Sequence, residues 1–435
     1  MSVLKIQEYT LSSKNDKNSL KNISSSITEN IIEHVSKNGG YLSTNLSCVD
    51  VGLSLYSTFK NDHVYYCGDE LDLISEIYTD NPDNESYSLS SCLSDAIKRD
   101  LKNDNYNVVS VINSDYLRSG KAIESLNQIG AEKRKMIIVF NDDTTISQGI
   151  GLVDRFVSGL RNTRTYNTIK SNVKDVIRSN KNGEKYIEDI HNFKSSIKKS
   201  MIHEGIFGEY DIEYIGPVDG HNYNELCRAL EVAKTKDYPV VVHCISTSGK
   251  GYKLAEANTN GAWKEVDRFD ISTGKAYAGE ADNYLYPKHI ISNELSKMMI
   301  TNENIIILSK DILKDGISVL FGQYVNRCIN TSSDAISLEM AAGFVRSGLY
   351  PYVCMNASEL STCYEQFSDY ISKSAGGILI SVIKDTDDIS YLKDLNNIEL
   401  VDGENEEIIK NTVHEFTKND KPTVLLIKKQ CIECK

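Results

Sequence analysis

The sequence predicts an α/β fold built from two doubly wound parallel-sheet domains. Short apolar runs rich in β-branched residues recur along its 435 residues, and each is separated from the next by a segment long enough for a helix. This alternation is typical of parallel strands joined by crossover helices. A chain of this length also exceeds one ordinary core, so we expect more than one domain.

The predicted strands fall into two sets along the chain. The first set is Val108–Ile112, Met136–Phe140 and Val240–Ile245, and the second is Ile305–Leu308, Tyr352–Met355, Ile378–Ile383 and Val424–Ile427. The small, polar run Thr273–Glu280 lies between the two sets and is typical of a linker. We therefore expect a first domain over residues 1–275 and a shorter second domain over residues 284–435.

Two other segments of the first domain differ sharply in pattern. Apolar residues recur at helical spacing from Leu226 to Ala233, which predicts a helix between Asn222 and Lys234 with one face on a sheet. The stretch 161–200 is polar and rich in Lys and Asn. We expect a solvated helical excursion or a mobile insertion there.

The composition argues against several classes of function. A formal net charge of −13 disfavours sequence-independent binding to nucleic acid, which needs an excess of Lys and Arg. No run approaches the ~20 apolar residues of a membrane span, and the N-terminal residues contain no apolar signal-peptide core. We therefore expect a cytoplasmic protein with small-molecule or protein partners.

The ten cysteines are scattered, and several lie in apolar runs where a small buried thiol is expected. We expect them to be reduced. Cys431 and Cys434 form a CxxC pair beside the C-terminus. A metal site there would need two more ligands, so an incidental tail is the simpler interpretation, and a metal or redox role stays open.

Three linked segments suggest a family. In order and spacing, Tyr214–His221, Pro239–His243 and Gly249–Glu256 resemble the 1-deoxy-D-xylulose-5-phosphate synthase family. Upstream, Gly39–Leu46 is similar to the family's segment around an early catalytic histidine, and Ala341–Gly343 resembles part of its pyrimidine-binding domain. The resemblance implies a truncated and divergent member in which the family's third domain is absent.

Such a resemblance implies a transketolase-like architecture and a homodimer, or a heterodimer with a related synthase. Thiamine diphosphate and Mg²⁺ would bind between the first domain of one copy and the second domain of the other. The family transfers a pyruvate-derived hydroxyethyl group to glyceraldehyde 3-phosphate in isoprenoid precursor biosynthesis, with the cofactor as electron sink.

The metal-binding turn of the family is altered in this chain. The family supplies one ligand from the aspartate of a Gly-Asp-Gly turn, and the resemblance aligns Asn113-Ser114-Asp115 with it. Ser114 would bring no charge to offset the desolvation of Mg²⁺. A shift of one residue would instead let Asp115 act as a ligand together with Asp143, which stands where the family has its second ligand.

Lys250 is retained and is a candidate for contact with an anion, although an exposed lysine is the commoner outcome.

The proton-transfer residues are altered as well. Tyr41, Asp69 and Asn84 stand at three family histidine positions, and neither Tyr nor Asp reproduces a histidine in both of its protonation states near neutral pH. His221 is retained as a catalytic candidate, with a role at the start of a helix as the alternative. Glu339 is the candidate for the glutamate that pairs with the aminopyrimidine.

Two positions in the second domain depart further from the family. Glu359 replaces an aromatic residue that stacks on the aminopyrimidine, and Thr362 replaces an arginine that binds the substrate phosphate. These replacements exchange an apolar platform for a charge and remove a cation.

Three hypotheses follow from the sequence. In the first, the chain is a pseudoenzyme with impaired or lost thiamine-dependent carboligation, and it acts as a regulatory or partner subunit with or without a cofactor. In the second, it is an active transferase that uses Asp115, Asp143 and Glu339 in a shifted geometry. In the third, the altered cleft binds another small ligand through the side chains at the replaced histidine positions.

Overall fold

The computed structural model describes residues 5–6, 17–79, 87–143, 205–258, 261–275, 284–310, 317–384, 389–428 and 432–433. The described residues up to Lys275 belong to one compact unit, and those from Tyr284 belong to a second. The stretch 161–200, most of the expected linker, and Cys431 and Cys434 lie outside the described residues. The eight described cysteines are free thiols.

The first unit contains a parallel sheet whose described strands have the order β2-β3-β4-β6-β5. A two-stranded antiparallel ribbon, β1 with β7, accompanies it. The strands are β1 (Gly40–Tyr41), β2 (His63–Tyr66), β3 (Val108–Asn113), β4 (Ile137–Asp143), β5 (Glu213–Asp219), β6 (Val240–Ser246) and β7 (Glu265–Val266).

Helices cover both faces of this sheet. They are α1 (Lys17–Asn38), α2 (Ser43–Thr58), α3 (Asp72–Tyr78), α4 (Leu89–Lys102), α5 (Ser114–Leu117), α6 (Gly120–Glu132), α7 (Gly205–Gly208), α8 (Tyr223–Lys234) and α9 (Lys253–Glu256). Val109 of β3 packs in a core with α1, α2 and α8, whereas its neighbour Val108 packs in a second core with α4 and α6. Because successive strand side chains point to opposite faces, both faces must be apolar, and β3, β4 and β6 are buried throughout.

The second unit repeats this plan. Its described parallel sheet has the order β10-β9-β11-β12-β14-β13. The strands are β8 (Tyr284–Leu285), β9 (Ile305–Ser309), β10 (Cys328–Asn330), β11 (Tyr350–Asn356), β12 (Leu379–Lys384), β13 (Glu399–Asp402), β14 (Thr423–Lys428) and β15 (Ile432–Glu433), of which β8 and β15 form a separate antiparallel pair.

The helices of the second unit again line two cores. They are α10 (Pro287–Thr301), α11 (Ser318–Gln323), α12 (Asp334–Arg346), α13 (Ala357–Thr362), α14 (Tyr364–Gln366) and α15 (Glu406–Glu415). Helices α10 and α15 contribute to one core, and α12 and α13 contribute to the other. The predicted α/β class with two doubly wound parallel-sheet domains is therefore confirmed, as are all seven predicted strands and the helix after Asn222.

Candidate functional site

The carboxyl ends of β3, β4 and β6 bring together several polar residues of the first unit. Asn113 lies opposite Asn141, and Asp143 lies opposite Ser246, because the three strands are parallel and in register. The residues that follow β3 therefore meet the last residues of β4 at one edge of the sheet. Ligands of open α/β sheets bind outside this edge, which makes it the candidate site.

The turn after β3 is folded by its own polar side chains. Asn113 is the N-cap of α5, and its Oδ1 accepts a hydrogen bond from the Tyr116 backbone N–H at 2.8 Å. Ser114 is only 4% exposed, and its Oγ donates to Asp142 Oδ1 at 3.4 Å. The hydroxyl that stands at the family's metal-ligand position thus contacts a buried carboxylate of the same unit.

Asp115 is held between two cations. Its Oδ1 accepts a hydrogen bond from Arg118 Nη1 at 2.8 Å, and its Oδ2 contacts the Lys264 ammonium. The side chains are 25%, 16% and 26% exposed, respectively, so the pairs are largely shielded from water. Each oxygen of the predicted metal ligand is therefore engaged by a positive group of the protein itself.

Lys264 reaches this edge from the ribbon of β1 and β7. Its carbonyl oxygen accepts a hydrogen bond from the Leu42 N–H at 2.9 Å, beside the ribbon pair Tyr41 and Glu265. Burial alone would lower the pKa of its ammonium, but the nearby carboxylates of Asp115, Glu70 and Asp143 together raise that pKa above its ordinary value. Lys264 thus lies in the field of three acidic side chains.

Glu70 lies beside the turn that carries Asp115. A Cβ atom added at Gly68 would lie 2.8 Å from Glu70 Oε2 and 3.4 Å from the ring of Tyr116. Gly68 has φ of +101°, so a glycine is favoured here by backbone conformation as well as by the closeness of the carboxylate. The carboxylate of Glu70 is therefore part of the same edge.

A metal-bound diphosphate fits this edge poorly. Among the described residues, no group of three His, Cys, Asp or Glu side chains is arranged to hold a metal ion. Both oxygens of Asp115 already contact cations, and a further anion would lie near the carboxylates of Glu70 and Asp143. The charge and contacts of the residues present therefore do not match magnesium and diphosphate.

A buried chain of hydrogen bonds runs behind the edge. Burial, the Asp142 carboxylate and Cys244 raise the pKa of the Tyr214 hydroxyl, which therefore stays protonated and donates to His243 Nδ1 at 2.7 Å. His243 Nε2 then donates to Asp142 Oδ2 at 3.3 Å, and the ring of His243 stacks on Phe140. His243 and Asp142 are both fully buried, so this chain satisfies polar groups inside the unit.

His221 ties the loop after β6 to α2. Its Nε2 accepts a hydrogen bond from the Thr247 backbone N–H at 2.7 Å, which places the proton on Nδ1. Nδ1 then donates to Asp50 Oδ2 at 2.8 Å. Both ring nitrogens of the catalytic candidate are thus used in contacts that fix the loop.

Lys250 is 49% exposed and lies 3.8 Å from Glu256 Oε1. Its neighbours Gly249 and Gly251 have φ of +68° and +91°, and the Gly249 N–H donates to the Ser43 carbonyl oxygen. The glycines shape the loop, while the lysine lies at its surface.

The second-unit candidates lie on two helices. Glu339 is half-buried on α12, one turn after the exposed Ile336. Glu359 closes a capping box on α13 by accepting from the Asn356 N–H at 2.8 Å, and it also lies 3.5 Å from the ammonium of Lys310. The Glu359 carboxylate, predicted to replace an aromatic residue, therefore has its contacts within the second unit.

The replaced histidine positions are only partly described. Tyr41 is half-buried in β1. Asp69 begins a 3₁₀ turn, but its side chain lies outside the described part, as does all of Asn84. The third hypothesis, a new ligand bound by these three side chains, stays a prediction.

Sequence reasoning missed Lys264, Arg118 and Glu70. Arg118 lies three residues after Asp115 on the same helical turn, a spacing that signals an ion pair. Lys264 and Glu70 carry no such local signal, because each is distant from Asp115 in sequence.

In the described residues, no helix is long and apolar enough to cross a membrane.

Comparison with known proteins gives a consistent pattern. Residues 4–67 and 80–246 match a family model described as 1-deoxy-D-xylulose-5-phosphate synthase. The synthase of Clostridium tetani is 30% identical over 380 residues, covering 77% of this chain and 59% of that protein. The synthase of Clostridium acetobutylicum is 28% identical over 380 residues, covering 80% and 61%. The chain thus spans about three fifths of the length of these relatives.

Solved structures give weaker matches. The match to a transketolase from Leishmania mexicana covers 96% of this chain and 78% of the transketolase chain at 10% identity, with a TM-score of 0.38. A split-gene transketolase, described as an inactive beta4 tetramer, covers 34% of this chain and 52% of its own at 15% identity, with a TM-score of 0.31.

Proposed function

Because the chain belongs to the 1-deoxy-D-xylulose-5-phosphate synthase family, we propose that it is a member whose thiamine-dependent carboligation is impaired or lost and that it acts as a regulatory or partner subunit. The observation that carries this proposal is the state of Asp115. Its two carboxylate oxygens contact Arg118 and Lys264, so a divalent cation at either oxygen would share it with a positive group of the protein and be repelled by that group.

Two further contacts support the loss of chemistry. Ser114 donates its hydroxyl to the buried Asp142, and His221 uses both ring nitrogens to fix the loop at Thr247. Proton transfer at neutral pH needs an imidazole nitrogen that can reach the reacting atom. In this geometry, His221 acts as a structural residue.

The family motif is preserved where it serves packing. Gly216 has φ of +142°, and a Cβ atom there would lie 2.6 Å from the His243 carbonyl oxygen. Gly249 has a left-handed φ, and a Cβ atom added there would lie 2.5 Å from the Cβ of Ala255. The glycines that this backbone requires are present, while the Ser114 hydroxyl, a predicted cofactor contact, faces a buried carboxylate, which supports a folded member with altered chemistry.

An active transferase is the second candidate. The charges of Asp115 and Asp143 both act on the Lys264 ammonium, which supports a route in which these two predicted metal ligands share one cation. In this alternative, Lys264 would leave the edge when thiamine diphosphate and Mg²⁺ bind, and the carboxylates would hold the cation. The cofactor would supply the electron sink for decarboxylation of a 2-oxo acid.

Isothermal titration calorimetry with thiamine diphosphate and Mg²⁺ separates the two candidates. We expect no heat of binding, because the edge presents acidic groups to an anionic cofactor and its predicted ligand is engaged. Micromolar binding that Asp143→Ala abolishes, followed by release of carbon dioxide from pyruvate, would contradict the proposal and establish the transferase.

The partner role is tested separately by mixing the chain with a full-length synthase of the family from the same organism. We expect a mixed species of intermediate mass in size-exclusion chromatography with light scattering, together with a change in the turnover of the synthase. Two unmixed peaks and an unchanged turnover would count against a partner subunit.

A further inference from the structure

Lys264 combines three properties that are unusual for a lysine. Its side chain is only 26% exposed, it contacts one oxygen of Asp115, and it lies in the field of Glu70 and Asp143 as well. An ammonium with few water contacts is costly unless carboxylates compensate for its lost hydration. Conversely, three carboxylates at one edge repel one another unless a cation lies among them.

We propose that Lys264 is the resident counter-ion of this edge, an internal ammonium that stands where a metal-dependent site would need a divalent cation. This inference deepens the proposed function and rests on it. Without the ammonium, Arg118 would be left to neutralise Asp115, and Glu70 and Asp143 would lose the attraction of one nearby positive charge.

The position of Lys264 is fixed by backbone contacts rather than by its charge alone. Its carbonyl oxygen accepts from the Leu42 N–H, and its N–H donates to the Gly261 carbonyl oxygen at 3.0 Å. The preceding residue, Trp263, packs edge-to-face on Tyr252 and Phe269. The backbone of Lys264 is therefore held beside the ribbon, which places its side chain within reach of Asp115.

The same arrangement occurs in the second unit. Lys310, which follows β9, lies 3.1 Å from Asp334 Oδ2 and 3.5 Å from Glu359 Oε1. A lysine again lies between two carboxylates at the carboxyl end of a parallel strand. The Lys310 side chain is 43% exposed, however, so water screens its ion pairs more than it screens the pair of Lys264 with Asp115.

The test is chemical rescue of the Lys264→Ala variant by an added amine, and thermal unfolding is the measurement. Trp263 is the only tryptophan of the chain and adjoins the site, so its fluorescence reports the transition locally. We expect the Tm to fall by about 5–10 °C, because the carboxylates lose their counter-ion. Propylammonium, which replaces the deleted methylene groups and the ammonium, should restore much of this loss, whereas neutral 1-propanol should not.

Two controls set the specificity of that result. Lys250→Ala removes a lysine of the same unit that is 49% exposed, and its Tm should stay unchanged. The parent protein should show no Asp115-dependent rise in Tm with Mg²⁺ alone. A parent Tm that rises with Mg²⁺, and no longer does so in Asp115→Asn, would overturn the proposal because a metal would then have access to the edge.

A double variant covers the case in which Lys264→Ala does not fold. Asp115→Asn combined with Lys264→Ala removes one charge of each sign, and we expect it to fold and to recover part of the lost Tm. If the double variant also fails to fold, or if propylammonium and 1-propanol act alike, the lysine serves through the packing of its stem and the proposal is wrong. None of these readouts involves thiamine diphosphate, so they can fail while the calorimetric result stands.

Discussion

A carboxylate holds a metal ion most favourably when no other positive group lies beside it, and at Asp115 each oxygen already contacts one, Arg118 or Lys264. The neighbouring carboxylate of Asp142 accepts from Ser114 and His243 inside the unit. At the residue scale, the carboxylates of Asp115 and Asp142 thus contact polar and positive groups of the protein itself. Retained acidic residue types therefore do not imply a retained metal site.

Another buried carboxyl, Glu225 on α8, makes stability depend on pH. Burial and, next, the Asp219 carboxylate raise its pKa from 4.5 to about 7. Between those two values the folded state binds more protons than the unfolded state, so the free energy of unfolding falls as pH rises through this window. The stabilising protonated form is fully present below the lower value and is lost above the higher one.

We predict that Glu225→Gln removes this dependence. The stability difference between variant and parent should grow in favour of the variant by about 1–2 kcal/mol from about pH 6 to about pH 8.5. Urea unfolding at the two pH values measures it. A parallel pH dependence in variant and parent would show that Glu225 ionises normally in the folded protein.

At the scale of elements, helix α6 packs so closely against a backbone atom that it has no room for one more side-chain atom at Gly130. Gly130 in α6 faces the Tyr210 carbonyl oxygen, which would lie 1.7 Å from an added Cβ atom. Gly343 in α12 has no atom within 4 Å of that position. The two helix-interior glycines thus form a matched pair with opposite surroundings.

We predict opposite effects for the two alanine substitutions. Gly130→Ala should destabilise the protein by about 1–3 kcal/mol or more, because α6 must move away from a backbone atom. Gly343→Ala should stabilise it by about 0.5–1 kcal/mol through the lower entropy of the unfolded chain. Denaturant unfolding followed by circular dichroism checks both, and equal effects would contradict this account of α6.

Strand prediction succeeded where burial is complete and failed where it is not. The predicted strands such as β4 and β6 are buried on both faces, so each reads as a continuous apolar run. The missed strands β2, β10 and β13 contain half-buried or exposed positions, and the missed β5 is interrupted by a bulge between Ile215 and Val218. Partial exposure and a bulge break the pattern on which strand prediction depends.

At the scale of the whole molecule, the dominant property is an excess of acidic side chains. The formal net charge is −13 at pH 7, and the isoelectric point is about 5.2. Like charges on separate molecules repel at neutral pH and keep the protein dispersed. This repulsion disappears as the carboxylates become protonated.

We therefore predict a minimum of solubility near pH 5.2. Static light scattering of samples at equal ionic strength and different pH values measures it, and high salt should flatten the curve because it screens the charges. Solubility that stays constant through the isoelectric point would mean that surface charge does not control association of this chain. The unfolding experiments on Glu225→Gln avoid this range for the same reason.

The sequence by itself determined the family and the fold class, and it predicted which site positions are altered. The motif from Tyr214 to His221 and the apolar strands are local patterns, and they can be identified because each residue's burial follows from its immediate neighbours. The resemblance to the family, rather than these patterns, predicted Ser114, Asp115 and Asp143 as the positions near a cation. It left open whether the two carboxylates meet.

Only the tertiary structure decided what lies among those carboxylates. Lys264 reaches Asp115 because the ribbon of β1 and β7 and the register of β3 with β4 place distant segments at one edge. No local pattern encodes such a contact, since an ion pair depends on distance in space and not on separation along the chain. The sequence gives the identity of each charged side chain, and the packing of distant segments determines which opposite charge it contacts.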